Sequence, residues 1–348
     1  MQNVQEYLLE SCEKHSDNSN SPERSSAQMR RSREVSGRIK WIDFTKGLAI
    51  VLVIIGHTIS CKELKYIIYS FHVPLFFAVS ILACRFSSCG KDIIHNAKKS
   101  FRRLIMPAIG LWALHDVLLY IADRSEIENS LAWGSKRLLS ILFSSGRPFQ
   151  LCGISIPSVG ILWFLVALFV GKTIFDIIHC YASSEFVVAF FCTLLCVSGV
   201  LIGQRFTLPF SLDYALTIQP FLWFGLCLRR WRESSFCIGR LVLGLFGWGA
   251  TAICIWYACS ERMLEIALKS YPLFPICFCM ACFAVIAVCE FSKLIVSIEE
   301  RIVSTITALF VAFGRESIWL FGVHHMDGMW KKYIISLTAI CSRRRLDY

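Results

Sequence analysis

Long apolar segments recur along this sequence, and they constrain its fold more than any other feature. A bilayer core of about 30 Å needs about 20 consecutive apolar residues in each crossing helix. Such segments are predicted at residues 42–60, 66–84, 104–122, 159–179, 186–203, 212–228, 236–258, 272–291 and 303–323, with a weaker one at 330–341. The sequence therefore predicts an all-α fold, a polytopic transmembrane helical bundle of about ten spans.

The composition agrees with a membrane location. Of the 348 residues, 55% are hydrophobic and 18% are charged, and the mean hydropathy is +0.57. These values are too apolar for a soluble globular protein. We therefore expect a multi-pass protein of the cytoplasmic (inner) cell membrane, in contact with membrane lipids.

Basic residues gather in four regions beside the predicted spans. They are Arg24, Arg30, Arg31, Arg33, Arg38 and Lys40; Lys91, Lys98, Lys99, Arg102 and Arg103; Arg229, Arg230 and Arg232; and Arg343, Arg344 and Arg345. Short loops rich in Lys and Arg remain on the cytoplasmic side, and strict alternation of the spans puts all four regions there. Both termini are therefore expected in the cytoplasm. The net charge of +11 is mostly this topology signal, and no nucleic-acid partner is expected.

The chain divides into three predicted parts. Residues 1–40 are polar and are expected to be a disordered cytoplasmic tail, residues 41–342 form the transmembrane domain, and residues 343–348 form a short cytoplasmic tail. The longest polar interruption, residues 123–157, is expected to be an external loop. Gly314 offers an alternative to the ninth span, in which residues 294–313 are a cytoplasmic surface helix and the span begins at Ser317.

The first span carries ionisable residues on one face. Asp43, Lys46 and His57 fall within a sector of about 60° when residues are spaced 100° apart on a helix. Ionisable groups inside a membrane are costly unless they face the protein interior or a watery cavity, so this face is predicted to line a functional path. Asp43 and His57 stand ~21 Å apart along the helix axis. Snorkelling at the interface by Asp43 and Lys46 is the structural alternative.

Further histidines are predicted at the depth of His57. His72 lies near the outer end of the second span, and His324 and His325 lie near the end of the ninth. Histidine is suited to take a proton from a hydroxyl group and return it later. Because no conventional ligand spacing accompanies these histidines, no metal is expected; the alternative role for a single histidine is packing.

Five sequence motifs together resemble a known family. They are IDFTKGLAIVLVIIGHT, FHVPLFF, FRRLIMP, ILWFLVALF and GRESIWLFGVHH, and they cover the chain from about residue 41 to residue 325. In order and spacing they resemble the signatures of the acyltransferase family 3 membrane proteins. The nearest branch contains the fucose and other sugar O-acetyltransferases.

The resemblance implies acetyl transfer from cytoplasmic acetyl-CoA to a hydroxyl of a glycan on the other side of the membrane. By this resemblance His57 is the expected catalytic histidine. His72 and Asp43, selected from their depth and helix face, are the other expected catalytic residues. Phosphate groups of an acyl-CoA require Arg and Lys donors at a cytoplasmic mouth. The expected acyl-CoA-binding residues are Lys46, Lys99, Arg102, Arg103 and Trp163, and the expected acceptor-binding residues are His324, Arg315 and Ser317.

Several alternatives remain open from the sequence. His57 could act as a general base or form a transient acyl-imidazole. Trp163 could stack on adenine, line the acyl channel or anchor the helix at the interface. A carrier or flippase whose polar face lines a solute path is the alternative function, and a non-catalytic scaffold is a third. The acceptor and the oligomeric state are not predicted.

Overall fold

The computed structural model describes residues 39–122, 130–259 and 262–326, and this part of the chain is almost entirely helical. The helices are α1 Lys40–Thr58, α2 Lys62–Tyr69, α3 His72–Leu82, α4 Gly90–Ser100, α5 Met106–Ala122, α6 Ser130–Phe143, α7 Trp163–Tyr181, α8 Glu185–Arg205, α9 Leu212–Thr217, α10 Gln219–Leu228, α11 Ile238–Cys259, α12 Ile276–Ser297, α13 Arg301–Arg315 and α14 Ser317–His325. A π-helical turn, Phe101–Ile105, joins α4 to α5.

Six described helices are long and apolar enough to cross a membrane. They are Lys40–Thr58, Lys62–Leu82, Gly160–Tyr181, Glu185–Arg205, Ile238–Cys259 and Ile276–Ser297. The second of these combines α2 and α3, and the third is α7 with the short helical turn before it. The pair α13 and α14 becomes a seventh span if the two are counted together, although they meet at a bend of 72°. The multi-pass helical bundle is thus confirmed, whereas the predicted count of ten spans is not.

Two predicted spans differ from continuous crossing helices. The segment predicted at 104–122 contains α5, which has 17 residues and follows the π-helical turn from α4. The segment predicted at 212–228 is divided into α9 and α10. Pro220, near the start of α10, lacks the amide hydrogen that would continue the helical ladder from α9. Apolar composition therefore located both segments but not their breaks.

The predicted external loop at 123–157 contains regular secondary structure in its described part, and its external position stays a prediction. This part contains α6 and a two-stranded antiparallel hairpin, β1 Phe149–Leu151 and β2 Ile154–Ile156. Positive φ angles at Cys152 and Gly153 form the two-residue turn between the strands. The predicted tail at 1–40, apart from its last two residues, the weaker span at 330–341 and the tail at 343–348 lie outside the described residues.

Close crossings of small residues hold the central helices together. Gly47 of α1 and Gly314 of α13 face each other so closely that an added Cβ at Gly47 would collide with the carbonyl oxygen of Phe310. Gly244 of α11 lies in the same way against the backbone of Ala287 in α12. Small residues at such contacts let membrane helices approach and gain van der Waals packing. The first of these crossings fixes α1, whose far end carries His57.

Candidate active site

A cavity of about 220 Å³ opens at the His57 end of α1. Its walls come from α1, α2, α3, α7 and α14, from the turns before α7, and from the segment after α11. The lining residues are Val53, His57, Tyr69, His72, Val73, Pro74, Phe76, Gly146, Gly160, Ile161, Trp163, Phe164, Leu264, Glu265, Ile266, Ala267, Leu268 and Phe321. Most of this surface is aromatic or aliphatic, so its few polar groups set the chemistry.

His57 is exposed at this cavity and has two aromatic polar neighbours. Its Nδ1 lies 3.4 Å from the Oη of Tyr69, and its ring centroid lies 5.2 Å from that of His324. His324 is buried, with 9% of its surface exposed. His57 and His324 are therefore brought together from the first and last described helices, although 267 positions separate them in the sequence.

His72 has a fixed tautomer. Its Nδ1 donates a hydrogen bond to the carbonyl oxygen of Ile68 at 2.9 Å, and a carbonyl oxygen can only accept. The neutral ring therefore keeps its lone pair on Nε2. Its ring centroid lies 4.8 Å from that of Tyr69, so Tyr69 stands between the two cavity histidines.

A second set of polar side chains lies next to the histidines of the cavity. The ring of His325, the neighbour of His324, lies 5.0 Å from that of His115, and His115 Nδ1 donates to Asp116 Oδ1 at 3.2 Å. Arg137 holds the same carboxylate through Nε at 2.9 Å and Nη2 at 2.8 Å. This two-point ion pair ties α6 to α5 beside the histidine cluster.

Glu265 and Tyr69 are polar cavity residues that the sequence analysis did not select. Glu265 lies on the segment between α11 and α12, and burial raises the pKa of its carboxyl group while the positive charge of Lys65 opposes that shift. Tyr69 precedes His72 by three positions, which could have pointed to one helix face. No pattern of spacing pointed to Glu265, because its place depends on the path of an irregular segment.

Trp163 lies at the histidine cavity. Its indole is 4% exposed and its ring centroid lies 4.6 Å from that of Tyr214. Asp176, two-thirds of the way along the same helix, binds Ser87 and Asn96 beside α4, so the cavity and the basic helix α4 lie at opposite ends of α7. This position separates Trp163 from the other expected acyl-CoA ligands and favours cavity lining among its predicted roles.

Asp43 lies at the opposite end of α1 from His57. Its carboxylate is 3.7 Å from Lys46 Nζ and 3.7 Å from Arg315 Nε. Neither Asp43 nor Lys46 lines the cavity. The predicted catalytic group is therefore divided into a histidine end and a charged end, ~21 Å apart along the helix.

The expected acceptor-binding residues are likewise not assembled in one place. Arg315 belongs to the Asp43 group, whereas His324 contacts His57. Ser317 is half-buried at the first position of α14, seven residues before His324, which is ~10 Å along that helix. The separation follows from the spacing of these residues along the chain, because Arg315 precedes His324 by nine positions.

Three expected acyl-CoA ligands form a cationic surface next to α5. Lys99 lies near the end of α4, Arg102 and Arg103 lie in the π-helical turn, and all three are exposed. None of them pairs with an acidic side chain of the described residues. Exposed guanidinium and ammonium groups without acidic partners suit polyphosphate binding.

The cavity groups together can perform acid–base chemistry on a hydroxyl group. A histidine supported by a tyrosine hydroxyl, a second histidine with a lone pair on Nε2, and a carboxylate all face one volume. Across residues 39–122, 130–259 and 262–326, no three His, Cys, Asp or Glu side chains are grouped to hold a metal ion.

Comparison with protein families gives the class of this chemistry. A family model described as an acyltransferase domain, that of acyltransferase family 3, matches residues 39–339. Comparisons with curated proteins and with solved structures gave no match. The family match covers most of the chain and decides between the predicted acyltransferase and the predicted carrier. The chain belongs to acyltransferase family 3, and it is a multi-pass membrane acyltransferase.

Proposed function

We propose that the protein transfers an acetyl group, or a similar short acyl group, from cytoplasmic acetyl-CoA to a hydroxyl of an extracytoplasmic sugar or polysaccharide. The observation that carries this proposal is the cavity in which His57, with the hydroxyl of Tyr69 at 3.4 Å, adjoins His324 and shares a wall with His72. Family membership supports acyl transfer as the reaction. The donor, the acceptor and the direction of transfer are proposals.

His57 is the general base of the proposed reaction. Its Nδ1–H donates to Tyr69 Oη, and its Nε2 accepts the proton of the acceptor hydroxyl. The acceptor oxygen attacks the thioester carbonyl carbon, the carbon–sulfur bond breaks, and His57 returns the proton to the departing sulfur. The proton taken from oxygen thus ends on sulfur, and no other reactant is needed.

The cationic end of the protein is the proposed donor side. Lys99, Arg102 and Arg103 would hold the phosphates of the coenzyme, and their exposure without acidic partners in the described chain supports this role. Lys46 and Arg315 add two cations, and Asp43 between them becomes a positioning residue. The bound donor supplies an activated thioester carbonyl.

The proposed orientation follows from charge. The basic residues of α4, of the π-helical turn and of the Arg229–Trp231 turn are expected at the cytoplasmic face. The histidine cavity would then open toward the other side of the membrane, where the acceptor is found.

Transfer by a His57 variant tests this function. Membranes containing the full chain receive acetyl-CoA labelled in the acetyl group, and label in envelope glycans is measured. His57→Gln is expected to lower transfer by about a hundredfold or more, because it removes the general base. The matched control is His15→Gln, in the predicted N-terminal tail, which should retain wild-type transfer.

Two outcomes would change the proposal. Transfer that survives His57→Gln would contradict the role of His57. An acetylated His57 peptide, found by mass spectrometry after incubation without acceptor, would show that His57 forms an acyl-imidazole instead of acting as a general base.

A further inference from the structure

Among the residues that line the cavity, Glu265 carries a carboxylate. It lies on the wall formed by residues 264–268, and it lines the same cavity as Tyr69, the partner of His57. The carboxylate forms no hydrogen bond or ion pair with a side chain of the described residues; Lys65 acts on it electrostatically. A partly buried carboxylate in this condition is costly to the fold, which calls for an explanation from function.

The segment that carries Glu265 is fastened in place. Glu265 and Ser270 exchange backbone hydrogen bonds of 3.0 and 2.9 Å. Lys269 forms an ion pair with Asp213 of α9, and both side chains are 1% exposed. Tyr214 donates from Oη to the carbonyl oxygen of Ala267 at 2.8 Å. Because one pair of these contacts closes the segment on itself and the other two anchor it to α9, the carboxylate keeps its position at the cavity wall.

Aromatic rings complete this cavity. Trp163, Phe164, Phe76 and Tyr69 line it together with Glu265. Aromatic faces pack against the C–H face of a pyranose ring, and an ionised carboxylate accepts hydrogen bonds from two hydroxyl groups at once. This pairing of groups matches a sugar with neighbouring hydroxyls. A negatively charged sugar would meet the Glu265 carboxylate at short range and be repelled.

We propose that Glu265 and the aromatic residues of the cavity form an acceptor subsite that selects neutral sugars with neighbouring hydroxyls and rejects sugars that carry a carboxylate. This inference rests on the proposed function, since it concerns the acceptor of the same reaction. Glu265 is the specificity-determining residue in it, and His57 remains the base.

A competition between two matched probes tests the subsite. Methyl α-D-glucopyranoside and its C6-oxidised form, methyl α-D-glucopyranosiduronate, are supplied in equal amounts with acetyl-CoA to the purified full chain. Acetylated products and free coenzyme are measured by mass spectrometry. The wild type is expected to favour the neutral glycoside by about tenfold or more, and Glu265→Gln should reduce this preference to about threefold or less.

Two further variants make the result specific. Glu265→Asp keeps the charge and should keep most of the preference, which separates charge from packing. Glu299→Gln removes an exposed carboxylate between α12 and α13 and should leave the preference unchanged. If Glu265→Gln does not fold, Glu265→Asp against wild type and the wild-type ratio itself still decide, because a wild type without preference overturns the inference.

The possible outcomes distinguish a failure of the subsite proposal from a failure of the proposed function. Equal preference in wild type and Glu265→Gln overturns the subsite and leaves the proposed function intact. Consumption of acetyl-CoA without acetylation of either glycoside also overturns the subsite, while it supports the donor. A wild type that consumes no acetyl-CoA overturns the proposed function itself.

Discussion

Tyr69 is the side chain between the two cavity histidines, and its hydroxyl lies 3.4 Å from His57 Nδ1. Tyr69→Phe keeps the ring and removes this hydrogen bond. We expect kcat to fall by about fivefold, which is the effect of losing roughly 1 kcal/mol, with little change in KM. The control is Tyr257→Phe, at a residue 83% exposed. An unchanged kcat in Tyr69→Phe would show that His57 is oriented without this hydroxyl.

Glu265 makes stability depend on pH in a direction set by its surroundings. Burial raises the pKa of its carboxyl group above the ordinary value of 4.5, with Lys65 opposing and Tyr69 and His57 facing it. Between 4.5 and the raised value the folded state binds more protons than the unfolded one, so stability falls as pH rises through this window.

Glu265→Gln is therefore expected to have a higher melting temperature than wild type at pH 7. The difference should shrink below the ordinary pKa of the carboxyl group, where Glu265 is protonated in both states. Thermal unfolding of both proteins at a series of pH values checks this. A variant less stable than wild type at pH 7 would mean that the carboxylate is favourably bound in the fold.

Residue patterns predicted the positions of the histidines better than those of the charged residues. The rule that ionisable groups in a span face the interior led to His57, His72 and His324. The structure places His57 and His72 at one cavity and His324 against the ring of His57. The same rule grouped Asp43 with His57, because face periodicity reports angle around a helix and not distance along it. Arg315 was grouped with His324 although nine positions separate them, which is ~14 Å along a straight helix.

At the scale of elements, the crossing of α1 and α13 depends on two glycines. An added Cβ at Gly47 would collide with Phe310 O, and one at Gly314 would collide with Asp43 O. Backbone atoms cannot move aside as a flexible side chain can. Gly47→Ala and Gly314→Ala should each cost about 1–3 kcal/mol or more of stability, measured as the loss of monodisperse protein on heating in detergent.

The matched control for these glycines is Gly249, which lies within α11 with nothing within 4 Å of an added Cβ. Gly249→Ala should be neutral or stabilising by up to about 1 kcal/mol, because alanine favours a helix more than glycine does. Equal effects at Gly47 and Gly249 would show that helix propensity, and not the close crossing, governs the result.

Apolar runs predicted the existence of elements well and their continuity poorly. The runs at 42–60, 159–179, 186–203 and 236–258 correspond to α1, α7, α8 and α11, with ends shifted by a few residues. The run at 212–228 became two helices, and residues 130–143 formed a helix inside a predicted loop. Hydrophobicity measures how much of a segment can be buried, whereas breaks arise from local backbone geometry and tertiary contacts.

On the scale of the whole molecule, chemistry and charge lie at opposite ends. The cavity lies where α1 ends and α3 begins, whereas the exposed cations of α4 and the π-helical turn follow the other end of α3. If the exposed cations face the cytoplasm, as proposed from the charge rule, the cavity end faces the other side of the membrane.

Labelling of native cysteines tests this orientation without any substitution. Cys61, between α1 and α2, and Cys152, in the hairpin turn, are exposed at the cavity end, and Cys89 is exposed just before α4. A membrane-impermeant maleimide added to intact cells should label the peptides of Cys61 and Cys152, and Cys89 should be labelled only after permeabilisation. Labelling of Cys89 from outside would show that the bundle has the opposite orientation in the membrane. It would then put the cations on the acceptor side, where acetyl-CoA from the cytoplasm could not reach them.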